Sequence, residues 1–164
     1  MVLGAAPAIV AAWPHDRGNV AGAYTYFNPQ TGYEFSGALG FTYSFENTHA
    51  QYQNGVDMHF NWGASKFLTK QWQVGLAGYA YQQISCDSGA GNRVGCFEQR
   101  VLGIGPQIGY IMPSGKDLQV YFNLKGYGDF AAQNRADGWN VWFTIAISPA
   151  PPGLDIAHDA NEIT

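Results

Sequence analysis

The stretch from Val56 to Phe67 separates into two sets when every second residue is taken. One set is apolar and the other is polar or small: Val56, Met58, Phe60, Trp62 and Ala64 against Asp57, His59, Asn61, Gly63 and Ser65. Because a β-strand sends successive side chains to opposite faces, this alternation predicts a strand with one apolar and one polar face. A chain that repeats such a strand must fold as a sheet whose two faces meet different surroundings.

The same alternation recurs in further segments, which we predict as strands over residues 20–27, 33–45, 72–84, 100–112, 118–130 and 139–148. Pro106 lacks a backbone donor, so a bulge or weak pairing is expected there. Short connections (28–32, 68–71, 113–116) alternate with long ones (46–55, 85–99, 131–138). Bacterial outer-membrane barrels alternate short periplasmic turns with long external loops, and their strands need about 9–11 residues to cross the bilayer. The pattern therefore predicts an all-β, antiparallel transmembrane barrel with seven or eight strands in this chain.

The composition separates this prediction from a water-exposed β-fold. Charged residues make up 12% of the chain and aromatic residues 15%, with a mean hydropathy of −0.17. A β-sandwich or lipocalin-like barrel would place many Lys and Glu residues on its outer face, whereas most charges here lie in turns, loops and strand ends. Lys125 falls on the polar face, and Lys66 on the apolar face lies near a turn, from which it can snorkel.

The net charge and hydropathy of the chain limit the kinds of partner that it can bind. The net charge of −4, without a basic run, argues against a nucleic-acid partner. No apolar run approaches the ~20 residues of a transmembrane helix. Aromatic residues near both ends of the apolar faces resemble the paired girdles of membrane barrels, so a lipid bilayer is the expected partner.

The chain divides into three parts. Residues 1–18 are Ala-rich and form an irregular segment or an extra strand, of which we favour the irregular segment; residues 19–148 form the barrel domain; residues 149–164 are Pro-rich and then acidic, as in a disordered tail. Seven strands would leave two open edges in lipid. The chain must then recruit an eighth strand from residues 1–18, pair with another copy as a homo-oligomer, or be a fragment.

The polar face would line the lumen. Its candidate residues carry amide, phenol and charged groups: Asp57, His59, Asn61, Gln73, Tyr79, Tyr81, Gln107, Tyr121, Asn123, Lys125, Asp129 and Asn140. Such groups hydrogen-bond to and stack with a small hydrophobic or aromatic solute. The alternative is a plugged lumen in a structural or ligand-binding barrel, because side chains just fill the interior of an eight-stranded barrel.

The remaining reactive residues give weaker signals. Cys86 and Cys96 lie ten apart and form a disulfide in an oxidising compartment or remain free thiols. Asp57 and His59 share a face, but the chain has no G-x-S-x-G elbow, no HExxH motif and no CxxC spacing. We therefore expect no enzyme activity, catalytic residue, metal or cofactor.

Several segments together resemble a known family: YQNGVDMHFNWGASKFL (52–68), the DSGAG loop (87–91), GIGPQIGY (103–110) and QNRADGW (133–139). They are similar to the outer-membrane transporter family associated with the meta-pathway of phenol degradation, over about residues 19–148. The resemblance implies a porin-like barrel in the bacterial outer membrane that moves small, often aromatic, compounds. Members of that family are longer, so the chain resembles their C-terminal half. Their barrels usually end on the last strand with a terminal aromatic residue, whereas here the tail 149–164 follows the last predicted strand.

Overall fold

The protein forms one antiparallel sheet in which each strand pairs with its neighbours in sequence. A computed structural model describes residues 8–12, 17–114 and 118–149. Its strands are β1 (Ala8–Ala12), β2 (Arg17–Asn28), β3 (Tyr33–Ser44), β4 (Asp57–Phe67), β5 (Trp72–Gln83), β6 (Arg100–Ser114), β7 (Leu118–Gln133) and β8 (Trp139–Pro149). The predicted all-β, antiparallel class is confirmed as a partial β-barrel. The described ranges contain no helix that is both long and apolar enough to cross a bilayer.

Two short turns show why the strands end where they do. Asn28 ends β2, and its side-chain oxygen accepts hydrogen bonds from the backbone N–H groups of Gln30 and Thr31 at 3.0 and 3.3 Å. Gly32 then takes the left-handed conformation (φ 72°) that a residue without Cβ adopts readily. At the next short turn, the Thr69 hydroxyl accepts from the N–H of Trp72 at 3.0 Å.

The preference for an irregular segment at residues 1–18 is wrong for its middle part. Ala8–Ala12 forms β1 and pairs antiparallel with β2, with Ile9 opposite Gly22. The physical reason is tertiary, since the edge of β2 offers backbone partners that no local pattern reveals. Residues 1–7 and 13–16, and the predicted tail from residue 150 onward, lie outside the described residues.

The pairing of β6 with β7 shows two further differences from the predicted pattern. A register shift lies between Arg100 and Leu102 rather than at Pro106. At Pro106, pairing continues with Leu76 of β5, while the β6–β7 register passes from Ile104 directly to Gln107. The expectation of weak pairing at Pro106 therefore holds on its β7 side. The predicted loop 131–138 begins later, because Arg100 pairs with Gln133 and so extends β7.

Burial in this sheet is the reverse of that in a water-exposed protein. Polar Gln73 and Asn123 are only 4% and 2% exposed, whereas apolar Phe35 and Ile147 are 52% and 70% exposed. The polar face is the concave one, because its side chains contact across strands that are not neighbours: Tyr121 of β7 donates to Gln73 of β5 at 2.8 Å. The interior is thus polar and the outer face apolar.

Aromatic side chains occupy both ends of the outer face. Near the short turns, Trp72 contacts Tyr110 with ring centroids 4.7 Å apart. Near the long loops, Tyr43 meets Phe45 edge-on at 5.7 Å. The outer-face cation Lys66 places its Nζ 5.1 Å from the Tyr33 ring centroid, a cation–π contact at the turn end of the sheet.

Candidate lumen and its cavity

The predicted lumen residues all occupy concave-face register positions, but they do not form one site. Gln73, Gln107, Tyr121 and Asn123 lie toward the short turns. Six others line an open cavity toward the long loops: His59, Asn61, Tyr79, Tyr81, Lys125 and Asn140. Asp57 and Asp129 accept hydrogen bonds from two of the cavity tyrosines. The concave face therefore divides into a filled half and a hollow half.

A hydrogen-bonded layer fills the turn-side half. The Gln73 amide donates to Glu34 at 2.5 Å and to the Ser65 hydroxyl. Its carbonyl oxygen accepts from Tyr121, whose own hydroxyl accepts from the Asn123 amide at 2.8 Å. These contacts join β3, β4, β5 and β7 across the concave face. We call Glu34, Ser65, Gln73, Tyr121 and Asn123 the turn-side layer.

Glycines make room for the large rings of the concave face. Gly103 lies opposite Tyr79 in the β5–β6 register, and a Cβ at Gly103 would collide with the tyrosine ring. At Gly109, an added Cβ would lie 2.7 Å from the hydroxyl oxygen of Tyr121. These two positions require glycine for close approach, so the glycine-rich 103–109 segment has a packing role.

The loop-side half holds a cavity of about 510 Å³. This volume lies within the range of small-molecule sites, ~300–1,000 Å³. Its lining combines rings and polar groups with two cations, Lys125 and Arg135. The Trp142 indole N–H donates to Asn140 at 2.9 Å, which fixes one wall. The arrangement can stack an aromatic ring and hydrogen-bond to its substituents.

Two tyrosines of the cavity donate hydrogen bonds from their hydroxyls to carboxylates. Tyr79 donates to Asp129, and Tyr81 donates to Asp57 at 2.6 Å. Arg135 lies over the Tyr81 ring, with its Cζ 4.9 Å from the centroid. Both acidic side chains are therefore engaged by phenols. The Asp57 carboxylate bonds to Tyr81 and not to His59 in the described contacts, so the pair does not form an acid–base arrangement.

Several cavity residues escaped the sequence prediction: Val101, Tyr127, Arg135, Trp142 and Thr144. Strand parity offered a signal for Tyr127 and Trp142, which share the concave face with Lys125. Parity offers none for Arg135, which belongs to the loop after β7 and reaches the cavity by folding back.

The long loops 46–56 and 85–99 are joined by contacts that centre on Asp87, and we call this set of contacts the clasp. Cys86 and Cys96 are joined in a disulfide. Asp87 accepts hydrogen bonds from the Tyr52 hydroxyl, from the N–H of Gly55 at 2.8 Å and from the Gln83 amide at 2.7 Å. Because the disulfide consumes both thiols, the sulfurs near Glu98 offer no thiolate to a metal.

The clasp shifts the acid–base properties of its two central groups. Partial burial raises the pKa of Asp87, but the hydrogen bonds from Tyr52, Gly55 and Gln83 outweigh it, so the pKa lies below its ordinary value of 3.8. The hydrogen bond to Asp87, together with burial and the carboxylate charge, raises the pKa of Tyr52 above 10.0. At neutral pH the clasp therefore joins a neutral phenol to an ionised carboxylate.

The comparisons with known proteins agree with the resemblance found in the sequence. A family model described as "Putative MetA-pathway of phenol degradation" matches residues 15–145. No curated protein and no solved structure matches the chain. The matched span runs from just before β2 into β8 and so includes the turn-side layer and the cavity lining.

Proposed function

The chain belongs to this MetA-pathway family of phenol degradation, and on that premise we propose that it is an outer-membrane barrel through which small hydrophobic or aromatic compounds pass. One observation carries the proposal: polar side chains are buried on the concave face while apolar side chains are exposed on the convex face. In water this arrangement would expose a large apolar surface, which aggregates. In a bilayer the same surface faces lipid, and the polar face surrounds the lumen.

The strand dimensions support a membrane-spanning role. β4 has 11 residues, which at ~3.3 Å per residue and a tilt of ~45° gives a height of about 25 Å. An apolar band of about 25 Å between two aromatic girdles is the outer surface of such barrels. Trp72 and Tyr43 lie toward opposite ends of that band.

The cavity supports a role for aromatic solutes in particular. Its walls present the faces and edges of Tyr79, Tyr81, Tyr127 and Trp142, against which a single aromatic ring can pack. Amide groups such as that of Asn61 supply hydrogen bonds to a ring hydroxyl. This combination agrees with the family's association with phenol degradation.

The turn-side layer favours a second candidate, a ligand-binding barrel with a closed lumen. Gln73 and Asn123 are packed and hydrogen-bonded at the depth where a channel would have to continue. A barrel of this kind would hold a solute in the loop-side cavity without releasing it on the other side. Both candidate functions assume a membrane barrel, and they differ only in whether its lumen conducts.

Two experiments test the proposal in order. The protein is refolded in detergent and run on an SDS gel with and without boiling. A heat-dependent mobility shift at monomer or oligomer mass is the expected result for a barrel, whereas aggregation without a shift would refute the membrane assignment.

Single-channel conductance in a planar bilayer then separates the two candidates. A steady open current is expected for the channel, and a sealed bilayer would favour the closed barrel. Thr144→Trp, which adds a ring inside the cavity, should reduce the current severalfold. Ile145→Trp adds the same ring to the outer face and serves as the matched control, which should conduct normally. Equal currents for the two variants would contradict conduction through this cavity.

A further inference from the structure

The charge of the loop-side cavity narrows the class of solute that it prefers. Lys125 and Arg135 line it, while no Asp or Glu belongs to its described lining. The two carboxylates nearest to the cavity tyrosines, Asp57 and Asp129, are each hydrogen-bonded to a phenol. Both charged groups of the lining itself are therefore positive, while the charges of Asp57 and Asp129 lie one hydrogen bond behind it.

The positions of the two cations leave them available to a ligand. Lys125 has no ion pair within 4.0 Å among the described residues, and Arg135 lies over the Tyr81 ring in a cation–π contact. A guanidinium in a cation–π contact still presents N–H groups, two of which a carboxylate can accept. The ring of Tyr81 holds the guanidinium at the mouth of the cavity.

The cavity offers partners for both an aromatic ring and a negative charge on the same ligand. Lys125 lies opposite Trp142 in the β7–β8 register, so a cation and an indole share one wall. A neutral phenol would use the rings but would leave both cations without a partner. We propose that this cavity selects single-ring aromatic anions, such as aromatic carboxylates, over neutral aromatic compounds of the same size. The inference rests on the proposed function, because it assigns the solute class of that lumen.

The test compares three ligands by titration calorimetry on the detergent-folded protein at pH 7. Benzoate has the ring and the charge, benzamide has the ring without the charge, and cyclohexanecarboxylate has the charge without the aromatic ring. Benzoate should bind at least about tenfold more tightly than benzamide, because only benzoate makes charge-assisted contacts with the cations. It should also bind severalfold more tightly than cyclohexanecarboxylate, because only an aromatic ring gains the ring–ring contacts of the cavity. Equal affinity for benzoate and benzamide, or no binding of benzoate, would overturn the proposal.

Two variants test whether the cavity cations bind the carboxylate of the ligand. Arg135→Gln should weaken benzoate binding by about tenfold and leave benzamide unchanged, and Lys125→Gln should act in the same direction. Arg93→Gln removes an exposed loop cation outside the cavity lining and is the matched control, for which wild-type affinity is expected. Arg135 lies in an exposed loop, so its replacement should leave the heat-dependent gel shift unchanged. If neither cavity variant weakens benzoate binding, the assignment of the cations is wrong.

Conductance distinguishes failure of this inference from failure of the channel. An open current blocked equally by benzoate and benzamide would preserve the channel and refute the anion preference. Selective benzoate binding by a protein that conducts no current would preserve the anion site and refute the channel.

Discussion

A lysine placed on the outer face at two depths tests whether that face lies in lipid. Leu118 and Leu124 belong to the same strand, β7, and to the same face, and they are 47% and 46% exposed. Residue type, strand, face and exposure are thus matched, and only the position along the strand differs. Leu118 is the first residue of β7 and pairs with Ser114 at the end of the sheet, whereas Leu124 pairs with Ile108 and Phe143 in its middle.

The expected effect follows from the geometry. Six residues at ~3.3 Å each separate the two positions by about 20 Å along the strand, or about 14 Å in depth at a tilt of ~45°. Since half the hydrocarbon core is about 15 Å, Leu124 lies near the midplane when Leu118 lies near the interface. Leu124→Lys should then cost about 2–4 kcal/mol and Leu118→Lys about 0–1 kcal/mol.

The assay is equilibrium unfolding by denaturant in lipid vesicles, with the unboiled gel shift as a second measure of the folded fraction. A cost of about 2–4 kcal/mol lowers the ratio of folded to unfolded protein by about 30-fold to nearly 1,000-fold. On a water-exposed face both substitutions would fall within about 0.5 kcal/mol of wild type. Equal and small effects at the two positions would refute the lipid-facing assignment.

Three further predictions concern the loops and the turn-side layer. Replacing Cys86 and Cys96 with Ser should lower the free energy of local unfolding of loop 85–99 by about 2–3 kcal/mol, the loop-closure entropy of a disulfide of this span. Hydrogen exchange should then be faster in the loop while the strands stay protected. The clasp should weaken in acid, because the lowered pKa of Asp87 gives stability that is full above its unfolded value and is lost as pH falls through the folded value. The protection of the loop amides, measured against their intrinsic exchange rates at the same pH, should therefore fall below about pH 4, the ordinary range of an Asp carboxyl, and Tyr52→Phe should move that fall to higher pH. Tyr121→Phe removes the hydroxyl that links Gln73 and Asn123 in the turn-side layer and should cost about 1–3 kcal/mol; a cost within 0.5 kcal/mol of zero by denaturant unfolding would mean that the layer contributes no stability.

Strand identity was predictable because both faces of each strand are under strong constraint. Residues 57–65 alternate without interruption, as expected when one face meets an apolar and the other a polar environment. β1 was not predictable in the same way. Its sequence AIVAA has no polar alternation, and it becomes a strand by pairing with β2. The alternation of faces applies only within strands, so it could not place the loop residue Arg135 in the cavity.

The lumen candidates were predicted as one set, yet they separate into a filled half and a hollow half. Alternation gives the face of a residue but not its height or its partner. The division depends on contacts between strands two apart, such as Tyr121 to Gln73, which arise from the curvature of the sheet. Curvature in turn depends on close approaches such as that of Tyr79 to Gly103. These are properties of the assembled sheet, and single strands carry no signal for them.

The two edges of the sheet connect the membrane proposal to the form of the assembled barrel. In the described residues, β1 and β8 each pair with one neighbour, so each leaves a row of backbone N–H and C=O groups on its outer side. Lipid offers these groups no hydrogen bonds, and each unsatisfied group costs several kcal/mol. β8 also carries apolar side chains on both faces, with Phe143 outside and Trp142 inside. In a bilayer a sheet of this kind would have to pair its edges with each other, with those of a second copy, or with further strands of a longer barrel, and the apparent mass of the unboiled species on the gel distinguishes the first two forms of closure.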